Sequence, residues 1–340
     1  YSDNSEVNIN SGNINLNGDN AIGFYLINGS TFNGNSGTIN ITGKNVVLFN
    51  LVNSSFTNNL AVNAAPGSTY VVGNLSNAVY THSGTNTLLS NSVLLNGNNS
   101  AMLIDSTSNI SSSSTGVVVM LLDGRYGLPF PAGYTADGEN AGTIVLGNDS
   151  AAVYGKNGTR LKNSGSITLG SNSVGVYNVG ASSETENIGI ITLGNNSTGL
   201  YQNNGTNIIN NGTINGTGTG AVGMYTDSNT GIINNTALID LQGDKSIGIY
   251  AMGSTQNIIN SGTIKLGNSS LMNDPSIGIY SAVAGSMVTN AGTVTSGMNS
   301  IGIYSNGGTI NNNGISNVGN SGVGIYSTGG IVNLNGSTFN

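Results

Sequence analysis

The stretch SIGIY at 246–250 returns unchanged at 276–280 and 300–304, and the variant GVGIY follows at 322–326. Self-similarity at a fixed period decides an architecture before any local propensity does. From Tyr326 down through Tyr304, Tyr280, Tyr250, Tyr225, Tyr201, Tyr177 and Tyr154 the intervals are 22, 24, 30, 25, 24, 24 and 23 residues. A second marker runs in phase with the first. It reads NSGSITLG at 163–170, NIGIITLG at 187–194, NSGTIKLG at 260–267 and NAGTVTSG at 290–297, with further copies NSGNINLNG at 10–18, NSGTINITG at 35–43 and NAGTIVLG at 140–147.

Composition restricts what such an array can be. The 340 residues are 37% hydrophobic and only 6% charged, with 53 Gly, 4 Pro and no Cys. The Ala, Glu, Lys and Leu that build long helices are missing, which excludes helical repeats. The Leu-x-x-Leu-x-Leu signature of leucine-rich repeats is absent as well. Within SGTIKLG, Ile264 and Leu266 alternate with Thr263 and Lys265, the pattern of a strand with one buried face. The same alternation through SIGIY places Ile247 and Ile249 inward and Gly248 and Tyr250 outward. A third short apolar element, NIIN at 207–210 and 257–260, precedes the next Asn-x-Gly. Gly and Asn, which accept left-handed backbone angles, separate the three.

Three strands per unit predict an all-β fold, a single continuous right-handed parallel β-helix over 1–340, with about 13 coils of about 24 residues. Equivalent residues then stack on themselves. The tyrosines form an outward ladder, and Asn163, Asn187, Asn210, Asn235, Asn260 and Asn290 form an amide ladder at the turn before a strand. A residue repeated at a repeated position is read first as structural, and as a sugar- or protein-binding row only second. The chain ends in NGSTFN at 335–340, the same six residues that at 28–33 lead into the next unit, so the array is expected to stop in mid-repeat.

Repeats of the form N-[SA]-G-T-I-x-L-G followed by S-x-G-[IVL]-Y, in a cysteine-free chain rich in Asn, Gly and Ser, resemble the β-helical passenger domains of type V autotransporters. The large fusobacterial outer-membrane adhesins of the RadD kind are particularly similar. That resemblance implies a cell-surface passenger, a signal peptide upstream and an anchoring β-barrel downstream. It also implies attachment to a protein or glycan on host cells or other bacteria. It carries over no catalytic motif.

The charge balance is 14 acidic against 7 basic side chains. Arg125, Arg160 and five scattered Lys form no basic cluster, so neither nucleic acid nor an anionic membrane is an expected partner. The enzymatic alternative is a polysaccharide-degrading β-helix, which needs paired carboxylates across a cleft. Glu184 and Glu186 sit in ASSETEN, where a solvated acidic loop is the simpler reading, and Asp227, Asp240 and Asp244 lie further on. His82 in THSGTN has no second His and no Cys beside it, so it reads as a loop residue. No cofactor or metal is expected, and the chain reads as non-catalytic. A passive stalk holding a distal binding tip is the other alternative.

Departures from the period mark segments that project from a solenoid, where binding chemistry is added. Three are expected, at 53–79, 123–140 and 270–276. The second, DGRYGLPFPAGYTADGEN, holds two of the four Pro and three aromatics in nine residues. Tyr126, Phe130 and Tyr134 would offer apolar faces to a partner, and Arg125, Asp137 and Glu139 would orient polar groups. The bland reading is that these rings fold back to cover a flank of the solenoid.

Overall fold

The computed structural model describes residues 1–89, 92–228, 230–253, 255–271 and 273–340, and no helix occurs among them. Short strands follow one another in threes, and every pairing among the described residues is parallel, between a strand and its counterpart one turn away. Corners turn through Asn in the left-handed region, as at Asn53, Asn77, Asn172 and Asn196, with φ of 48–55°. Asn tolerates that conformation better than other residues with a Cβ, which is why it is so abundant here.

Contacts group the chain into two compact units, 1–167 and 168–340. In the first unit one sheet runs through seven strands from Ser2–Asp3 to Ala151–Lys156, and a second from Glu6–Ile9 to Arg160–Asn163. The third face is divided: Asn13–Leu16, Thr38–Ile41 and Ala61–Ala64 form a three-stranded sheet, and pairing resumes at Thr85–Thr87. In the second unit the three sheets start at Val174–Val179, Glu184–Asn187 and Ile190–Leu193, and each has seven strands. Each unit is therefore a parallel solenoid of seven turns with three strands per turn, fourteen turns where about thirteen are expected.

The letters of SIGIY have separate causes. The Ser276 hydroxyl accepts the Ser246 backbone N–H from one turn away at 3.1 Å. Ile249 is fully buried, and Tyr250 lies half-exposed on the outside. The expected alternation nevertheless fails at Gly248. Gly248 and Ile249 are both buried while Ile247 is half-exposed, so Gly248 faces inward and Ile247 outward. The pairing register skips the glycine, running Ile247↔Ile277 and then Ile249↔Ile279. A Cβ on Gly248 would lie 2.5 Å from the Gly278 carbonyl oxygen and 2.8 Å from Ile264 Cγ2. Only glycine fits, and the same position one turn earlier, Gly223, is equally tight.

The first unit has this glycine once, at Gly23, and otherwise fills the inner position with Leu48, Val72, Leu94, Val119 and Ala152, all fully buried. Beside them runs a column of rings: Phe24, Phe32, Phe49, Phe56, Tyr80 and His82, with neighbouring centroids 3.8–5.9 Å apart. Phe49 and Tyr80 are thus core residues. The outer row equivalent to the tyrosines is Tyr25, Asn50, Asn74, Asn96, Leu121 and Tyr154. The 53–79 segment is accordingly not a projecting loop. Ser55–Asn58, Ala61–Ala64 and Tyr70–Ser76 pair in register with the preceding turn. Measuring from Phe49 to Tyr80 crosses from one core position to another on a different sheet, which lengthens the interval without adding an insertion.

The ladder asparagines end the strands of the second sheet, at the turn into the third, and their side chains are fully buried. Asn210 Nδ2 donates to Asn235 Oδ1, and Asn235 to Asn260, both at 2.8 Å. Asn235 also donates to the Ala237 carbonyl at 3.1 Å, closing the turn into the third sheet. Glu184 and Glu186 stand on the outward positions of a strand, Glu184–Asn187, not in a loop.

Candidate functional site

The 123–140 insertion is the largest interruption of the first unit. Its irregular part spans 124–137, between the strands Val118–Asp123 and Gly138–Asn140, and it lengthens this turn to 33 residues at Leu121↔Tyr154. Two prolines and three glycines keep it out of regular structure.

Asp137 organises the loop. Its carboxylate is fully buried and accepts the Tyr126 backbone N–H at 2.9 Å and the Arg160 backbone N–H at 2.7 Å. The Arg160 guanidinium grips the same carboxylate from Nε at 3.1 Å and Nη2 at 2.9 Å, a two-point ion pair. Arg160 also lies over the Phe130 ring, 4.3 Å from its centroid. Phe130 in turn is parallel to Tyr126, with centroids 6.1 Å apart. Tyr126 is only 9% exposed.

The far side of the loop is anchored separately. The Tyr134 hydroxyl hydrogen-bonds Thr81 Oγ1 at 2.7 Å, and burial pushes the Tyr134 pKa up to about 12. Glu139 lies within the strand Gly138–Asn140, and its carboxylate accepts from Thr135 Oγ1 and Ser164 Oγ at 2.7 Å, with Lys162 Nζ 4.0 Å away. Arg125 Nε donates to the Gly158 carbonyl. All six residues expected here, Arg125, Tyr126, Phe130, Tyr134, Asp137 and Glu139, thus belong to one cluster, and each makes bonds or ring contacts within the chain. The Tyr126 ring is buried, and those of Phe130 and Tyr134 are half-buried.

Arg160 is the central residue that sequence reading misses. Its signal was the period itself: it stands 23 residues, one turn, after Asp137. Leu128 is missed too. It is 62% exposed at the loop's tip, and with Tyr126 it overhangs the corner between the first two sheets. Beneath lies an open groove of about 440 Å³, lined also by Asn53, Ser55, Asn77 and Val79. No charged residue is among its described lining residues.

The 270–276 segment does interrupt the pattern between the strands Thr263–Leu266 and Ile277–Ser281, although Met272 lies outside the described residues. Lys245 pairs with Asp274 at 2.6 Å, and Asp244 accepts from Ser269 Oγ at 2.7 Å and from the Ser270 hydroxyl and backbone N–H. Those bonds hold the Asp244 pKa down to about 2. His82 lies in the core of the strand Val79–His82, not in a loop. Its Nδ1 is 2.8 Å from the Tyr80 hydroxyl, and its Nε2 has no hydrogen-bond partner. Among the described residues no three His, Cys, Asp or Glu side chains gather to hold a metal ion.

Comparison with protein-family models, with curated proteins and with solved structures finds no match to this chain.

Proposed function

We propose that this chain is a non-catalytic binding segment of a bacterial cell-surface adhesin of the autotransporter type, and that it attaches through the 124–137 loop and the groove beneath it. The observation that carries this reading is the groove: an exposed apolar tip, Leu128, held over a neutral corner by a loop whose anchors are all internal. A solenoid makes a regular surface, and an insertion fixed by a buried ion pair gives it one irregular, preorganised feature. Attachment to a surface molecule of a host cell or another bacterium follows from the resemblance of the repeats, as does secretion with an anchoring barrel elsewhere.

One observation favours a second reading. The six cluster residues all make contacts inside the chain, as expected of a cap on a passive stalk. Replacing 125–135 with a short Gly/Ser linker, while retaining Asp137 and Arg160, separates the two. The adhesin reading expects attachment to partner cells to fall while the melting temperature holds. A drop in melting temperature with undiminished attachment by the folded fraction makes the loop a cap. Release of reducing ends from a polysaccharide panel would overturn the non-catalytic reading.

A further inference from the structure

The groove's lining points to a ligand class, an inference that rests on the reading of the loop as the attachment site. We propose that the groove between Leu128 and the Asn53–Asn77 corner binds an uncharged oligosaccharide. Asn53 and Asn77 are exposed, stand one turn apart, and make no side-chain hydrogen bond among the described residues. Each amide presents a donor and an acceptor on one side chain, and the Ser55 hydroxyl adds a third group of the same kind. A sugar hydroxyl is likewise both donor and acceptor, so neighbouring hydroxyls on a pyranose ring are matched by such pairs.

The opposite wall is apolar. Tyr126 and Leu128 line it, and Val79, paired with Ser55 on the second sheet, adds an apolar patch to the floor, a surface suited to the C–H face of a sugar ring. Tyr126 is fixed from two sides, by its backbone bond to Asp137 and by the parallel Phe130 ring. Little ordering is therefore left for binding to impose on that wall.

Other ligands fit less well. Sialylated or sulfated glycans and acidic or basic peptides carry charges that no described lining residue would meet. An extended peptide would seek an open sheet edge, but Ser55–Asn58 is already paired with Thr31–Gly34 on one side and Val79–His82 on the other.

The test uses the full chain on immobilised oligosaccharides, neutral galactosyl, fucosyl and N-acetylglucosaminyl chains beside their sialylated counterparts, together with attachment to whole partner cells. Retention on neutral chains is expected, weakened by about ten-fold or more in the double variant Asn53→Gly/Asn77→Gly through loss of its hydrogen bonds. Glycine keeps the left-handed corners unstrained, so melting should not move. Leu128→Asp should abolish retention by an independent route. Retention only on sialylated chains, on none, or equal retention by all variants overturns the inference. If cells still attach through the loop in those cases, the partner is something other than a neutral glycan, a charged glycan where only sialylated chains are retained, and the adhesin reading stands. If replacing the loop leaves attachment intact, that reading falls as well.

Discussion

Gly248 and its two neighbours make opposite demands on a substitution. Gly248→Ala forces a methyl group to within 2.5 Å of the Gly278 carbonyl oxygen, which is backbone and cannot swing aside. Ile249→Ala empties a fully buried site and should cost about 2–5 kcal/mol. Ile247→Ala, at a half-exposed site, should cost clearly less, within about 1.5 kcal/mol. Melting of the three variants checks the inward glycine: an Ile247→Ala loss as large as that of Ile249→Ala would return Ile247 to the core. His82 supplies a test of another kind. Burial holds its pKa down from 6.5 to about 4, against the pull of Asn86 and Asp105. The Tyr80 hydroxyl against its Nδ1 has a raised pKa through burial. Between pH 6.5 and about 4 the unfolded chain therefore holds a proton on this ring that the folded chain refuses. Stability should fall as pH drops through that window and level off below it for this group, by up to about 3 kcal/mol in all. Asp105, whose pKa is lowered, adds its own loss only at lower pH. His82→Asn should flatten the pH 6.5 to 4 part of the profile, and an unchanged slope would mean that the ring is not the group responsible.

The inner asparagine ladder is an element in its own right, since each amide both donates along the row and closes its own turn. Asn235→Ala removes the acceptor for Asn210 and the donor to Asn260 in one step. It should cost about 2–4 kcal/mol, because buried amide groups are left unpaired on both sides. Asn333→Ala, whose amide donates to Asn311 on the outer surface, should cost within about 1 kcal/mol. Comparable losses in the two would show that water reaches the inner row. Much of this level was legible in advance. Ile264 and Leu266 have buried counterparts in turn after turn, such as Ile167 and Leu169 or Ile191 and Leu193, so simple alternation reads them correctly. SIGIY misleads because a phase shift at one glycine leaves the letters looking regular. The contacts of 124–137 were hidden for the opposite reason: an insertion that occurs once has no copies to compare, and its partners are chosen by packing alone. Arg160 was the exception, being one turn from Asp137.

For the molecule as a whole, charge contributes little to holding it together. Charged side chains are 6% of the chain, and of the described ion pairs only Arg160–Asp137 has a fully buried partner. Raising NaCl from about 0.05 to about 0.3 M should therefore shift melting by no more than about 2–4 °C, as expected when exposed pairs contribute near zero each. A larger shift would show that exposed charges carry stability that the paired sheets do not. Circular dichroism should register strand without helix, and a helical fraction above roughly one fifth of residues would contradict the fold, since no stretch has a helical period.

The inward glycines also bear on how such a chain changes over generations. In the second unit each turn meets the next through the same few letters, so a DNA exchange between two SIGIY-encoding stretches would remove or add one complete turn. The new junction would again set glycine against glycine, serine against serine and tyrosine against tyrosine. In the first unit the equivalent inner positions read Gly23, Leu48, Val72, Leu94, Val119 and Ala152, so each turn differs there from the next. Natural variants that differ in length are expected to gain and lose whole turns between 168 and 340 and to leave the stretch carrying the 124–137 loop unaltered.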